Sequence, residues 1–325
     1  MYELELTKSL GRTGNSLLCI INAVYFAFNN KICKVKFHKL KWWTNQLLPG
    51  GRNELINKLE INIDSVDLSG TICENTENER KSILRNRGSL KWNQKKNQFE
   101  SWFCGFYLGG PQGAPFHKRI YIVQKYIRPL FNFVNEPLNE NDLVIHLRSG
   151  DIMSSGHHCY IQPPLCFYEE IIKLRKWNKI YILLERNNNP CLNALKQKYP
   201  NIITFINDKN RHGGNGFGFK HDLGFLVGCY NYVSCQSSLC PLIIQLSKTI
   251  KNVYIPSYMF VTKGHHAIRE HSIWWSNDLI DKKENVKINN IEFHVFNYDK
   301  YINTAEPIYN YQDKKFKDYI LNYKN

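Results

Sequence analysis

The sequence predicts an α/β protein made of two Rossmann-like halves that face a cleft. Three observations carry this: a strand-helix-strand order in the first 38 residues, a regular alternation of short apolar strands and helices from about Asn139 to Ile255, and a Pro-, Asn- and Glu-rich link between them at Glu136 to Asp142. The 325 residues are 43% hydrophobic and 14% aromatic, which is material enough for two cores.

In the first half, Tyr2 to Leu6 alternates as a strand does, Ser9 to Asn15 is a turn, and Ser16 to Phe28 is a helix. The helix follows from apolar residues at Leu17, Ile20, Ile21, Val24 and Phe28, spaced three and four apart. Lys34 to His38 is the returning strand. The polar stretch from about Asn75 to Gln98 is expected to be surface loop with some helix. Aromatic residues return at Phe99, Trp102, Phe103, Phe106 and Tyr107, before a Gly/Pro turn at Gly109 to Pro115.

In the second half the expected strands are Leu143 to Leu147, Lys179 to Leu184, Ile202 to Phe205, Tyr232 to Ser234 and Asn252 to Ile255. The expected helices are Phe167 to Trp177, Leu192 to Tyr199, His221 to Cys229 and Ser238 to Ser247. Short apolar strands alternating with amphipathic helices form a parallel, doubly wound sheet covered on both faces. The tail, 281–325, has a weak period. It is expected to pack on the body of the protein, either wrapped over the first half or as a small subdomain.

Lys+Arg 43 against Asp+Glu 28 gives a net charge of +15, which favours anionic partners without choosing among them. The basic run Arg80, Lys81, Arg85, Arg87, Lys91, Lys95 and Lys96 is either a solvated face or an anion surface. Neither zinc-finger spacing nor a ribonucleoprotein signature occurs, so no nucleic-acid partner is expected. The ten cysteines include no Cys-x-x-Cys pair, and Cys229, Cys235 and Cys240 lie in an apolar stretch where buried thiols are ordinary. The first residues lack the pattern of a signal peptide. The apolar run Leu17 to Phe28 is shorter than the roughly 20 residues that span a bilayer. No transmembrane segment is expected, and the expected location is cytoplasmic, unless the chain is a piece trimmed of an anchor.

The segment His146-Leu-Arg-Ser-Gly-Asp151 sits where a parallel strand ends, and ligands of open α/β sheets bind outside those ends. Arg148 there presents a planar fork of donors to a phosphate, and Gly150 lets backbone approach a ligand closely. The other reading pairs Arg148 with a nearby carboxylate. At the first strand-to-helix turn, Gly11-Arg-Thr-Gly-Asn15 offers backbone N–H groups and an amide to an anion, or caps the helix. Asp222 is expected to open a helix, and Cys235-Gln-Ser-Ser238 to end a strand and open another. Both are also compatible with N-capping.

This combination, a Gly-x-x-Gly-Asn turn, His-x-Arg-x-Gly-Asp, and an Asp followed fifteen residues later by Ser-Ser, resembles the superfamily of α1,2-, α1,6- and protein O-fucosyltransferases. The segment HLRSGDI with YIQPPLCFYEEII is most similar to the α1,2 type, glycosyltransferase family 11. The segment IYILLERNNNPCLNALKQKYPNIITFINDKN with DLGFLVGCYNYVSCQSSLC is similar to the donor half of the α1,6 enzymes. The likeness is thin over 1–260 and good over 143–256. It departs from the family at Ser149, where many α1,2 enzymes have a second Arg, at Glu185-Arg-Asn-Asn, which lacks the usual acidic pair, and after Ser238, where Trp-Trp is absent.

The resemblance implies a GT-B-like fold with an acceptor-side domain at 1–138, a GDP-sugar donor domain at 139–280 and the tail at 281–325. It implies an inverting glycosyltransferase that passes fucose from GDP-fucose to a hydroxyl of an oligosaccharide or glycoconjugate, with no metal and no other cofactor. Alternatives are another nucleotide sugar, or a non-catalytic glycan- or nucleotide-binding protein on the same scaffold. Arg148 would bind the β-phosphate and Asn15 would assist it. Gly14, His146, Gly150, Asp222, Ser237 and Ser238 would complete the donor site, with Asp222 towards guanine. Asp151 and the pair His157-His158 are the candidates for the general base, since they follow Arg148 closely and an imidazole titrates in a suitable range. Asp151 that only orients the loop and a solvent-facing His157-His158 pair are the alternatives.

Overall fold

A computed structural model describes residues 2–6, 13–38, 58–64, 81, 90–96, 98–101, 116–131, 138–150, 153, 162–206, 217–237, 239–260, 279, 282–298, 300–301 and 314–324. At 13–16, 58, 90, 101, 205–206, 217–221 and 314–316 it describes the backbone alone. The chain is α/β, in two compact units, Met1–Asn132 and Phe133–Asn325.

In the first unit, β1 (Tyr2–Leu6), α1 (Thr13–Asn29) and β2 (Ile32–His38) form the βαβ step, with β1 and β2 parallel. Tyr2, Leu4 and Leu6 are buried at every second position of β1, as its period requires. Leu17, Ile20, Ile21 and Val24 are buried on α1 at helical spacing. β3 (Lys58–Asn62), β4 (Leu90–Asn93) and β5 (Gln98–Ser101) complete a sheet of order β3-β2-β1-β5-β4, parallel at its centre and antiparallel at both edges. This half is therefore a mixed sheet and departs from the expected Rossmann-like one. A helix α2 (Phe116–Ile122) contacts α1 and runs on into a short π-helical turn, Val123–Ile127.

Two expectations change here. The helix begins at Thr13, so Gly14 and Asn15 belong to its first turn and do not precede it. Within the stretch expected to be loop and helix, 90–93 is strand, and Trp92 pairs in register with Phe99. Trp92, Phe99 and Tyr2 meet edge-to-face at centroid distances of 4.9 to 5.4 Å, a gain that the polar composition of the stretch concealed.

The second unit runs β6 (Leu143–His146), α3 (Leu165–Lys173), β7 (Ile180–Leu184), α4 (Pro190–Lys198), β8 (Ile203–Ile206), α5 (Phe217–Gly228), β9 (Asn231–Val233), α6 (Leu239–Leu246), β10 (Asn252–Pro256), β11 (Val286–Ile288), β12 (Ile291–Phe296) and α7 (Lys314–Asn322). The sheet order is β11-β12-β10-β9-β6-β7-β8, and every neighbouring pair is parallel except β11 with β12. From β6 the chain winds outward through β7 to β8, then returns to the other side of β6 as β9 and winds outward again. Right-handed crossovers then place the two sets of helices on opposite faces. Accordingly α3, α4 and α7 contact one another, and α5 contacts α6.

The tail belongs to this second unit, and its described residues show no separate subdomain. β12 extends the parallel sheet beside β10, and α7 rests on α3 and α4. Tyr298 and Tyr301 bury their rings in this packing, and the Tyr301 hydroxyl donates to Gln162 O at 2.7 Å.

Candidate functional site

β6 and β9 are the neighbours at which the winding reverses. Their following loops diverge to opposite faces, which opens a crevice at the carboxyl ends of the strands. The residues that leave β6 there are Leu147, Arg148, Ser149 and Gly150. Those that leave β9 are Ser234, Cys235, Gln236 and Ser237. Two of the motifs singled out in the sequence thus meet at one point of the sheet.

The loop that carries Arg148 is held by the loop after β7. The ladder continues one bond past β6, from Leu147 N–H to Leu183 O at 2.9 Å. Beyond it, side chains take over. Ser149 Oγ accepts from Arg186 N–H at 2.9 Å, Asn188 Oδ1 accepts from Gly150 N–H at 2.9 Å, and Asn188 Nδ2 donates to Gly150 O at 3.0 Å. Asn189 Nδ2 donates to Arg148 O at 2.7 Å. Gly150 has φ +82°, where a side chain is strained, and Glu185 lies against it. Arg148 itself is half-buried.

Behind these loops lies a buried polar cluster. His146 Nδ1 is 3.3 Å from the Tyr232 hydroxyl and 3.6 Å from Cys240 Sγ, and the Tyr232 hydroxyl donates to Cys240 Sγ at 3.1 Å. Cys235 Sγ is 3.7 Å from Cys240 Sγ. Burial drives both thiols upward. At Cys235 that effect prevails, with Cys240 adding to it and the positive charge of Arg148 opposing it. At Cys240 the hydrogen bonds from Cys235 and His146 overcome burial and hold the thiol below its usual range. The ligand atoms of His146, Cys235 and Cys240 lie within 4.8 Å of one another, a closeness that these hydrogen bonds account for.

The expected site residues divide as follows. Arg148, Gly150, His146 and Ser237 lie at the crevice strands and their loops, although His146 turns Nδ1 into the cluster behind them. Ser237 Oγ accepts from Leu239 N–H at 3.2 Å, and its carbonyl accepts from Cys240 N–H at 3.1 Å, so it caps α6. Asp222 is buried inside α5, in the second turn, and does not open the helix. Gly14 and Asn15 belong to the first unit. Asp151, His157 and Ser238 lie outside the described residues.

Sequence reading passed over Asn188, Asn189 and Gln162. Asn189 Oδ1 accepts from Cys191 N–H at 2.9 Å and caps α4, while its Nδ2 also lies 3.3 Å from Gln162 Oε1. The available signal was Asn187-Asn-Asn-Pro190, an Asn before a Pro at a helix start. It marked the cap and gave no hint of the long-range bond to Arg148.

The crevice therefore offers an arginine on a tied loop beside the start of a helix, at the edge where ligands of such sheets bind, and the guanidinium is the group suited to an anion. No protein-family model and no curated protein matches this chain. No described helix is long and apolar enough to cross a membrane.

Proposed function

We propose that the protein is an inverting, metal-independent glycosyltransferase of the GT-B class that transfers fucose from GDP-fucose to a glycan hydroxyl. The observation that carries the reading is the meeting of the Arg148 loop with the Cys235-to-Ser237 loop where the winding of the sheet reverses. An arginine fork beside a helix start is suited to a diphosphate, and the fucosyltransferase-like motifs supply the nucleotide and the sugar.

In this reading the acceptor oxygen bonds to the anomeric carbon as the bond to the β-phosphate oxygen breaks, with inversion. The hydroxyl proton passes to a base in the segment after Arg148, with Asp151 and His157 as candidates. Negative charge grows on departing GDP. Arg148, positioned before the reaction, stabilises that charge more in the transition state than in the ground state. Asp222 serves the guanine.

The test is a thermal-shift titration with GDP, GDP-fucose, GDP-mannose and UDP-galactose, followed by assays of donor hydrolysis and of transfer to an acceptor panel. GDP and GDP-fucose should stabilise the protein most, and transfer should follow. Equal response to all four, or none to GDP, defeats the reading. Binding of GDP-fucose without hydrolysis or transfer would make the protein a non-catalytic binder.

A further inference from the structure

Arg148 leaves the sheet on a loop whose backbone has one remaining ladder bond, at Leu147. A flexible loop would let its guanidinium wander over several ångströms, whereas stabilising a developing charge requires a donor already in place. We infer that Asn188 and Asn189 are the positioning residues that hold Arg148 at the crevice. The inference rests on the donor-binding role proposed above for Arg148.

The bonding is specific. Asn188 uses both ends of its carboxamide on one residue, accepting from Gly150 N–H and donating to Gly150 O, as a neighbouring strand would. Asn189 spans two structures. Its Oδ1 fixes the start of α4, and its Nδ2 holds the Arg148 carbonyl. Asn189 is 2% exposed and Ser149 1%, so water does not replace their bonds, whereas Asn188 is exposed and holds Gly150 through two bonds made at once. Residues 148, 149 and 150 are thus tied in turn to Asn189, the Arg186 backbone and Asn188. The rigidity of α4 and β7 is passed to the loop that bears the charge.

Two variants separate positioning from stability. Asn189→Ser keeps a cap oxygen for α4, since Ser caps as well as Asn, but removes the donor to Arg148. Asn188→Ala removes the clamp on Gly150, and Asn188→Asp restores only the acceptor half. The full chain is measured for GDP affinity by calorimetry, for amide hydrogen exchange at Gly150, and for melting temperature. GDP affinity should fall about 10-fold to 100-fold in Asn189→Ser and Asn188→Ala, since small misplacements of a binding group carry losses of that order. Exchange at Gly150 should rise at least about 10-fold in Asn188→Ala, with Asn188→Asp between it and wild type. The melting temperature of Asn189→Ser should fall by only a few degrees for the lost buried donor, since the cap is kept, so affinity is read well below it where the variant is fully folded. Wild-type GDP affinity in both variants overturns the inference, as does unchanged exchange at Gly150 in Asn188→Ala. If the wild-type protein binds no GDP, the donor reading fails separately. Inorganic pyrophosphate then serves as the probe, and pyrophosphate affinity that is absent or unaffected by the variants also overturns the inference.

Discussion

The carboxyl group of Glu185 lies against the α-carbon of Gly150, so that a Cβ built on Gly150 would come within 2.5 Å of Glu185 Cδ. Two separate effects therefore oppose a side chain at Gly150. The contact involves the far end of a flexible side chain, which moves aside at small cost. The φ of +82° is fixed by the clamp from Asn188 and does not relax as easily. Gly150→Ala is expected to cost about 1–2 kcal/mol by urea unfolding, the usual penalty for an L-residue in the left-handed region. Glu185→Ala in the same chain should leave that cost largely in place. Full recovery in the double variant would assign the cost to the contact and not to the backbone.

Arg148→Ala is expected to lower transfer by about 10² to 10³, the usual loss for one preorganised donor facing a developing charge. Arg148→Lys should recover only part of it, because a single ammonium cannot reproduce the planar fork. The residue is half-buried at the sheet edge, so circular dichroism and the urea midpoint should change little. Near-normal transfer by purified Arg148→Ala would remove this residue from the proposed donor site.

Much of the second unit was legible because its parallel strands are apolar on both faces and its helices other than α5 carry a helical period. Leu143 to Leu147 against the observed Leu143–His146 shows how far the pattern reaches. The strands of the tail were not legible: β12 is IEFHVF, with Glu292 and His294 between its apolar residues, and its place beside β10 is a long-range pairing. At the site, residue type and position marked Arg148 and Gly150. The amides that hold them come from a loop 38 and 41 residues away in sequence, and local spacing carries no trace of such bonds. Asp222 and Ser237 were marked as polar residues at helix starts. Ser237 caps and Asp222 does not, a difference that depends on where α5 begins.

Tyr232→Phe tests the cluster behind the crevice. The change removes one hydroxyl that donates to Cys240 Sγ and lies 3.3 Å from His146 Nδ1, and leaves the ring in place. A stability loss of about 1–3 kcal/mol is expected from the buried partners left unsatisfied. Cys240 should also become less acidic to thiol titration than in wild type, because one of the hydrogen bonds that oppose its burial is then lost. An unchanged unfolding midpoint would show that the hydroxyl is dispensable.

Asn231 should matter for folding and not for the crevice. It sits at the opposite end of the sheet, fully buried, with all its amide valences used: Nδ2 donates to Glu140 O at 2.7 Å and Asp142 O at 2.8 Å, while Oδ1 accepts from Arg175 Nη2 at 2.6 Å and Asn252 Nδ2 at 2.8 Å. Asn231→Ala leaves two carbonyls and the Asn252 amide short of partners, while exposed Arg175 turns to water, and a loss of about 1–3 kcal/mol is expected. GDP affinity of the fraction that remains folded should be unchanged. A small stability loss with a large affinity loss would reverse the assignment.

The same end of the sheet gives a pH dependence with a definite sign. His294 stacks on Tyr254 at 4.7 Å between centroids, and its Nε2 lies 3.1 Å from Asn252 Oδ1. Burial lowers its pKa, Glu292 opposes that, and Arg175 adds to it, with a net shift downward. The unfolded chain therefore takes up a proton near the ordinary imidazole value of about 6.5, where the folded protein still resists it. Between that value and the lower folded one the unfolded state binds more protons, so stability falls as pH falls. Above about 6.5 the contribution is complete and flat. His294→Phe keeps the stacked ring and removes the titration, so its urea midpoint should fall less than that of wild type as the solution is acidified from pH about 7. Parallel curves for the two proteins would show that His294 is not the group responsible.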